Sequence, residues 1–205
     1  MEKVDFRKSL QGYRGRHHVF EVLELPVTQY IMVDGHGDPN TSPEFAAAIQ
    51  ALFPVAYKLK FASKKELGKD YVVMPLEGLW WAEDMSTFTT ARDKSQWSFT
   101  LMIMQPSWIT REMFEAVVAK LGEKDPPALL PKVRFETLDE GLVVQTLHIG
   151  SFDDESAILR EMHESYIPMS GLKMSGKHHE IYFSDFRKVA PEKLKTILRQ
   201  PVSKV

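Results

Sequence analysis

Tyr30-Ile-Met-Val-Asp-Gly-His-Gly37 is an apolar run that enters a glycine turn, and a helix start at Ser42-Pro43-Glu44 follows it. A stretch of the same make-up lies at Leu142-Val-Val-Gln-Thr-Leu-His-Ile-Gly150, ahead of the acidic run Asp153-Asp-Glu-Ser-Ala-Ile-Leu159. Each unit reads as a strand, a glycine turn, a helix and then further strands. The pair predicts an α+β fold of duplicated β-α-β-β modules, with helices on one side of the sheets and a concave cleft between the halves.

Working outward, residues 1–17 carry Gly12 and Gly15 among charges and scattered apolar residues, so a flexible or loosely docked arm is expected there. The domain proper then covers 18–202. Its first module runs from about 18 to 123 and its second from about 124 to 202, with Lys124-Asp-Pro-Pro-Ala128 as a rigid connector. The β-rich runs 19–25 and 28–34 are split by Pro26, which a central strand does not tolerate. Ser42 as cap and Pro43 at the first helical position start a helix through Phe45, Ile49, Leu52, Ala56 and Leu59, with a kink or junction at Pro54. Residues 71–82 read as a strand interrupted at Pro75 and Gly78, 83–95 as a polar loop, and 97–104 as a strand entering mid-sheet. A helix from Thr110 to Leu121, strands at 133–138 and 141–149, a helix at 153–165, a strand at 178–185 and a last short helix at 191–199 complete the reading.

The 205 residues contain no Cys, and 26 Lys+Arg stand against 28 Asp+Glu. A disulfide framework, a thiolate nucleophile and any Cys-based metal site are thereby excluded. The net charge of −2 gives no electrostatic pull toward nucleic acid or an anionic membrane. No signal-peptide core and no run of membrane-spanning length is present, so a cytoplasmic protein is expected. The seven His residues make no His-Glu-x-x-His pattern and no metal site or cofactor is expected from them; Gly35-x-Gly37 lacks the third glycine of a dinucleotide loop. No P-loop and no Gly-x-Ser-x-Gly elbow occurs.

The chemistry-bearing segment is Lys177-His-His-Glu-Ile-Tyr-Phe-Ser-Asp185. Strand alternation puts His178, Glu180, Tyr182 and Ser184 on one face and His179, Ile181 and Phe183 on the other. If the first face lines the cleft, Glu180 is a general base or a cation's counter-charge; if it faces solvent, these are ordinary polar residues. Trp80 and Trp81, adjacent in a strand, must point to opposite faces, so one of them can line the cleft. Tyr71, Trp97, Trp108, Tyr166 and His36 are the further ligand-binding candidates, with core packing as the alternative for the aromatics.

These residues carry a resemblance that covers most of the chain. Pro26-x-x-x-Tyr30-Ile-Met-Val-Asp-Gly-His-Gly-Asp-Pro39, Pro75-Leu-Glu-Gly-Leu-Trp-Trp81, His179-Glu-Ile-Tyr-Phe-Ser-Asp185 and Pro191-Glu-Lys-Leu-Lys-Thr-Ile-Leu-Arg199 resemble the GyrI-like small-molecule-binding family in its stand-alone branch. The resemblance implies two SHS2-type modules related by a pseudo-twofold axis, with a ligand pocket between them and Glu180 at its floor. It further implies a cofactor-independent hydrolase that detoxifies cyclopropanoid DNA-alkylating genotoxins of the yatakemycin and CC type by adding water to the strained ring, an antibiotic-resistance activity. In that reading Glu180 activates the water, Tyr182 or Tyr166 supports the oxygen that gains charge, and Trp80 or Trp81 stacks on the flat body. The alternatives are a non-catalytic protein that sequesters planar or cationic aromatic compounds, and a DNA gyrase-interacting inhibitor. The expected partner is a small planar aromatic molecule, with no nucleic acid and no membrane, bound by a monomer or homodimer. Only 17 residues precede the first expected strand, too few for a helix-turn-helix module.

Overall fold

The computed structural model describes residues 2–83 and 93–205, so most of the expected polar loop 83–95 lies outside the described residues. Eleven strands are described: β1 (Lys3–Val4), β2 (Glu21–Glu24), β3 (Thr28–His36), β4 (Asp70–Tyr71), β5 (Leu76–Trp81), β6 (Ser98–Gln105), β7 (Arg134–Leu138), β8 (Leu142–Ile149), β9 (Leu172–Met174), β10 (His178–Tyr182) and β11 (Lys195–Lys204). Nine of them form one antiparallel sheet in the order β2-β8-β11-β10-β5-β6-β3-β7, with β9 on the far end of β11. The helices are α1 (Phe6–Ser9), α2 (Pro43–Ala62), α3 (Arg111–Gly122), α4 (Glu155–Arg160) and α5 (Ile167–Met169). The protein is thus a mixed α+β fold on a large antiparallel sheet. From the centre, β5, β6 and β3 follow one another on one side, and β10, β11 and β8 on the other.

The register assigns side chains to faces. Glu180 pairs with Gly78 and Leu198, and Gly78 with Leu101, so these positions share one face. On that face α2 buries Phe45, Ile49, Leu52, Val55 and Leu59 in a core with Phe99, Leu101 and Ile103. Each such side chain contributes about 1.5–3 kcal/mol on leaving water. Farther along, Val144, Leu198 and Val202 meet Ile158, Met162 and Ile167 of the segment that runs from α4 through a π-helical stretch, Glu161–Tyr166, into α5. Helices therefore cover the two ends of one face, and β10 crosses the middle between them.

Several local expectations hold in detail. Pro43 opens α2 after Ser42, and Thr110 caps α3 by accepting from the Met113 amide. The junction expected at Pro54 does not occur: α2 runs through it, and the carbonyl left free is that of Gln50 on the exposed side. Pro26 separates two strands that part company: β2 pairs with β8, whereas β3 lies between β6 and β7.

Two further expectations are corrected. The last helix at 191–199 does not form. Pro191–Lys193 makes a single 3-10 turn, and β11 follows, hydrogen-bonded to β8 on one side and β10 on the other. A strand covered on both faces loses its alternation, and residues 196–202 of β11 are all buried. Nor is the N-terminal arm loose. β1 pairs in parallel with β4, Phe6 packs on Trp108 with ring centroids 5.6 Å apart, and Gly12 and Tyr13 are buried against the sheet face opposite the helices. No helix among the described residues is long and apolar enough to cross a membrane.

Candidate functional site

β10 presents Glu180 on the helix-covered face, and two aromatic neighbours fix its geometry. The Tyr182 hydroxyl donates to Glu180 Oε2 at 2.7 Å, and the Trp80 indole N–H donates to the Tyr182 oxygen at 2.8 Å. On the other side His178 Nε2 stands 3.3 Å from Glu180 Oε1, without the alignment of a hydrogen bond. The Glu180 side chain is largely buried and keeps 14% of its surface exposed. Phe45 stacks on Trp80, Trp97 and Phe99 meet it at 5.9 and 5.6 Å, and Phe152 stands edge-on to Tyr182. The result is a carboxylate with one oxygen held by a phenol and the other facing an imidazole, beside a cluster of aromatic rings.

Burial, then the Glu180 charge beside it, pushes the Tyr182 phenol well above its ordinary value, so it stays a donor at any working pH. The buried carboxylate Glu155 of α4 adds to that effect. His163, from the π-helical stretch, meets the His178 ring edge-on at 6.2 Å. Burial and the neighbouring His178 hold the His163 imidazole down to about 4, so it is neutral at pH 7.

The register also explains Gly78, which sits opposite Glu180 on β5. A Cβ there would stand 2.8 Å from Trp80 Nε1 and 3.0 Å from the Tyr182 oxygen. The missing side chain is the space in which these two groups meet. Gly78→Ala is therefore expected to separate indole from phenol and to destabilise the protein by about 1–3 kcal/mol through overpacking. A thermal melt and the near-ultraviolet signal of Trp80 check this; an unchanged Tm with an unchanged aromatic signal contradicts it.

Of the candidate residues, the structure brings Glu180, Tyr182, Trp80 and Trp97 together. Trp80 is only 4% exposed, so its part is to anchor Tyr182 rather than to offer an open ring. Trp81 points to the opposite face, where the Lys177 ammonium lies 3.2 Å above its ring, and His36 is on that side too, with Nδ1 near Ser98 Oγ. Tyr71 and Trp108 form a separate cluster, bonded to Gln105 and Ser63 respectively, and Tyr166 packs on Phe20. Gly78, His163, Phe45 and Phe152 also meet at the site, and none of them is among the candidates the sequence offers. An isolated glycine within a strand is the one local signal of a close approach, and it stood at Gly78.

A family model described as the GyrI-like small molecule binding domain matches residues 18–203. The chain belongs to the GyrI-like family. Its fold is similar to that of an uncharacterized conserved protein from Listeria innocua, at 36% identity and a TM-score of 0.88, over 98% of this chain and 100% of that one. A protein described as a hydrolase from Listeria innocua is 35% identical over the same shares of the two chains, with a TM-score of 0.84. A second protein described as a hydrolase from that organism is 36% identical, again over 98% and 100%, with a TM-score of 0.86. No curated protein matches the chain.

The other face of the same two central strands of this GyrI-like domain holds a buried ionic network. His179 Nε2 meets Glu77 Oε2 and its Nδ1 meets Glu140 Oε1, each at 2.9 Å. Arg199 donates to Glu140 at 2.9 Å, to Gln145 at 3.1 Å and to the Gly12 carbonyl, while the Tyr13 hydroxyl donates to Glu77. Two carboxylates thus face an imidazolium and a guanidinium, and the arm is tied in through Gly12 and Tyr13. Burial disfavours the imidazolium, but Glu140 and Glu77 outweigh it and the His179 pKa is raised. Burial likewise opposes the Glu140 charge, yet His179 and Arg199 hold that carboxyl down to about 2.

These shifts set the pH dependence of stability. His179, raised in the folded protein, contributes fully below its ordinary 6.5, and that contribution is lost as pH rises through the folded value. His163, depressed to about 4, costs stability as pH falls below 6.5, because the unfolded chain takes up a proton that the folded chain refuses. Glu140 adds a further loss as pH falls from 4.5 toward 2. The Tm is expected to peak near pH 6.5, and His179→Gln to flatten the alkaline limb. An alkaline limb of unchanged slope in the variant would contradict the assignment.

Proposed function

We propose that this GyrI-like protein is a cofactor-independent hydrolase that opens the cyclopropane of cyclopropanoid DNA-alkylating genotoxins. The observation that carries the reading is the chain Trp80–Tyr182–Glu180, which fixes a partly buried carboxylate beside a cluster of aromatic rings. The 35–36% identity to proteins described as hydrolases supports the enzyme class.

The substrate's cyclopropane is fused to a cyclohexadienone. Glu180 takes a proton from water as the oxygen of that water bonds to the strained carbon. The breaking ring bond sends its electron pair to the dienone oxygen, which takes a proton from bulk water and becomes a phenol. Tyr182 keeps its hydroxyl hydrogen on Glu180, so its part is to aim the carboxylate. Trp97, Phe152 and the other cleft rings offer surfaces for the flat body. Because the strained ring is already reactive, positioning and exclusion of water contribute as much as proton transfer.

Purified protein incubated with a cyclopropanoid genotoxin tests this directly, by loss of the dienone chromophore and by product mass. Many turnovers to a product heavier by one water support the hydrolase. The description of the family as small-molecule-binding favours one second reading, in which Glu180 is the counter-charge for a sequestered planar compound. Stoichiometric binding without product would select it.

A further inference from the structure

His178 and His163 have no part in the chemistry so far described, and their state is unusual. Both ring nitrogens of His178 and the Nε2 of His163 are buried without a hydrogen-bond partner. The His178 side chain is only 8% exposed. A buried imidazole nitrogen left unpaired is costly, and phenylalanine or leucine would fill either position without that cost. Two such groups side by side call for a reason in function.

Their placement supplies one. Glu180 Oε2 is closed off by Tyr182, a phenol pushed to a very high pKa and itself held by Trp80, so a proton cannot leave the carboxyl on that side. Oε1 faces His178 Nε2 at 3.3 Å, and the His178 ring faces His163 at 6.2 Å. His163 in turn is only half-buried, on a segment at the flank of the domain. Glu180, His178 and His163 therefore make a file of titratable groups from the cleft floor to the protein's side.

We infer that His178 and His163 form a proton path that clears Glu180 after each turnover. This rests on the hydrolase reading. The proton that Glu180 takes from water passes to His178 Nε2, on to His163 and out to bulk water, while the dienone oxygen takes up one proton from bulk water at the cleft mouth. The sum is the addition of one water, with no other reactant. A turn of the His178 ring aligns the 3.3 Å contact with Glu180 and then brings the proton to the side that faces His163. The other ionisable groups at this spot are Glu155 on α4 and Tyr182 beside Glu180.

The test compares the first turnover with steady state in wild type, His163→Phe and His178→Gln. Neither variant removes a hydrogen bond, and His163→Phe is expected to raise the Tm by relieving an unpaired nitrogen. Both are expected to complete the first turnover at close to the wild-type rate. Their steady-state kcat should fall by about 10²-fold, with KM unchanged, and recover when free imidazole is added as a diffusible proton carrier. Wild-type kcat in both variants overturns the proton path and leaves the hydrolase standing. So does a first turnover slowed as much as steady state and not rescued by imidazole. No turnover by the wild-type protein overturns both.

Discussion

Glu180→Gln is expected to leave a folded protein that has lost multiple-turnover hydrolysis by about 10²–10⁴-fold, the span typical for removing a positioned general base. The amide has the shape of the carboxylate, and its oxygen still accepts from Tyr182, so the Trp80–Tyr182 arrangement survives. What it lacks is the capacity to take a proton from water. Binding separates the two readings of the cleft. A planar neutral compound should bind the variant as it binds wild type, whereas a cationic one should lose the attraction of the charge. A variant that keeps the wild-type rate removes Glu180 from the chemistry.

Arg199→Met is the change expected to cost most in stability. The guanidinium holds Glu140, Gln145 and the Gly12 carbonyl at once, in a site where almost nothing reaches water. Without it, Glu77 and Glu140 share one imidazolium, and a carboxylate stays buried without its counter-charge. Breaking a buried pair from one side in this way costs about 3–5 kcal/mol. The arm loses its anchor as well, so limited proteolysis should cut near residues 14–18 before the rest of the chain unfolds. Adding Glu140→Gln to Arg199→Met should return part of the lost stability, because it removes the stranded charge. Denaturant melts of the single and double variants read both effects; a single variant as stable as wild type would show that the network holds nothing.

Much of this was legible in the sequence, and the reasons are local. Ser42-Pro43 and Thr110 announced their helices through cap chemistry. The alternation His178-x-Glu180-x-Tyr182 placed three side chains of the site on one face, because that face is half-open to the cleft. β11 was misread since Pro191 followed by Glu-Lys-Leu-Lys carries helix-start and helix-forming residues. Its flanking strands and both covered faces, which no local window shows, make it a strand. The ionic network was invisible for a related reason. Tyr13, Glu77, Glu140, His179 and Arg199 have no spacing in common and meet only through the sheet and the arm laid across it. Alternation places His179 beside Ile181 and Phe183, and the two carboxylates that meet it come from elsewhere in the chain.

The bond from Arg199 to the Gly12 carbonyl joins residues 187 positions apart. During synthesis the arm is made well before its binding site is complete, since the guanidinium comes from β11, 187 positions after Gly12. Until then Tyr13 and its apolar neighbours have no completed face to dock on. Closing so long a loop is entropically expensive and slow, so docking of the arm should be a late event in folding. A nascent chain stalled before Lys195 should hold the β3–β6 half in place while residues 2–17 remain open to protease, so that the arm settles long after it has been made.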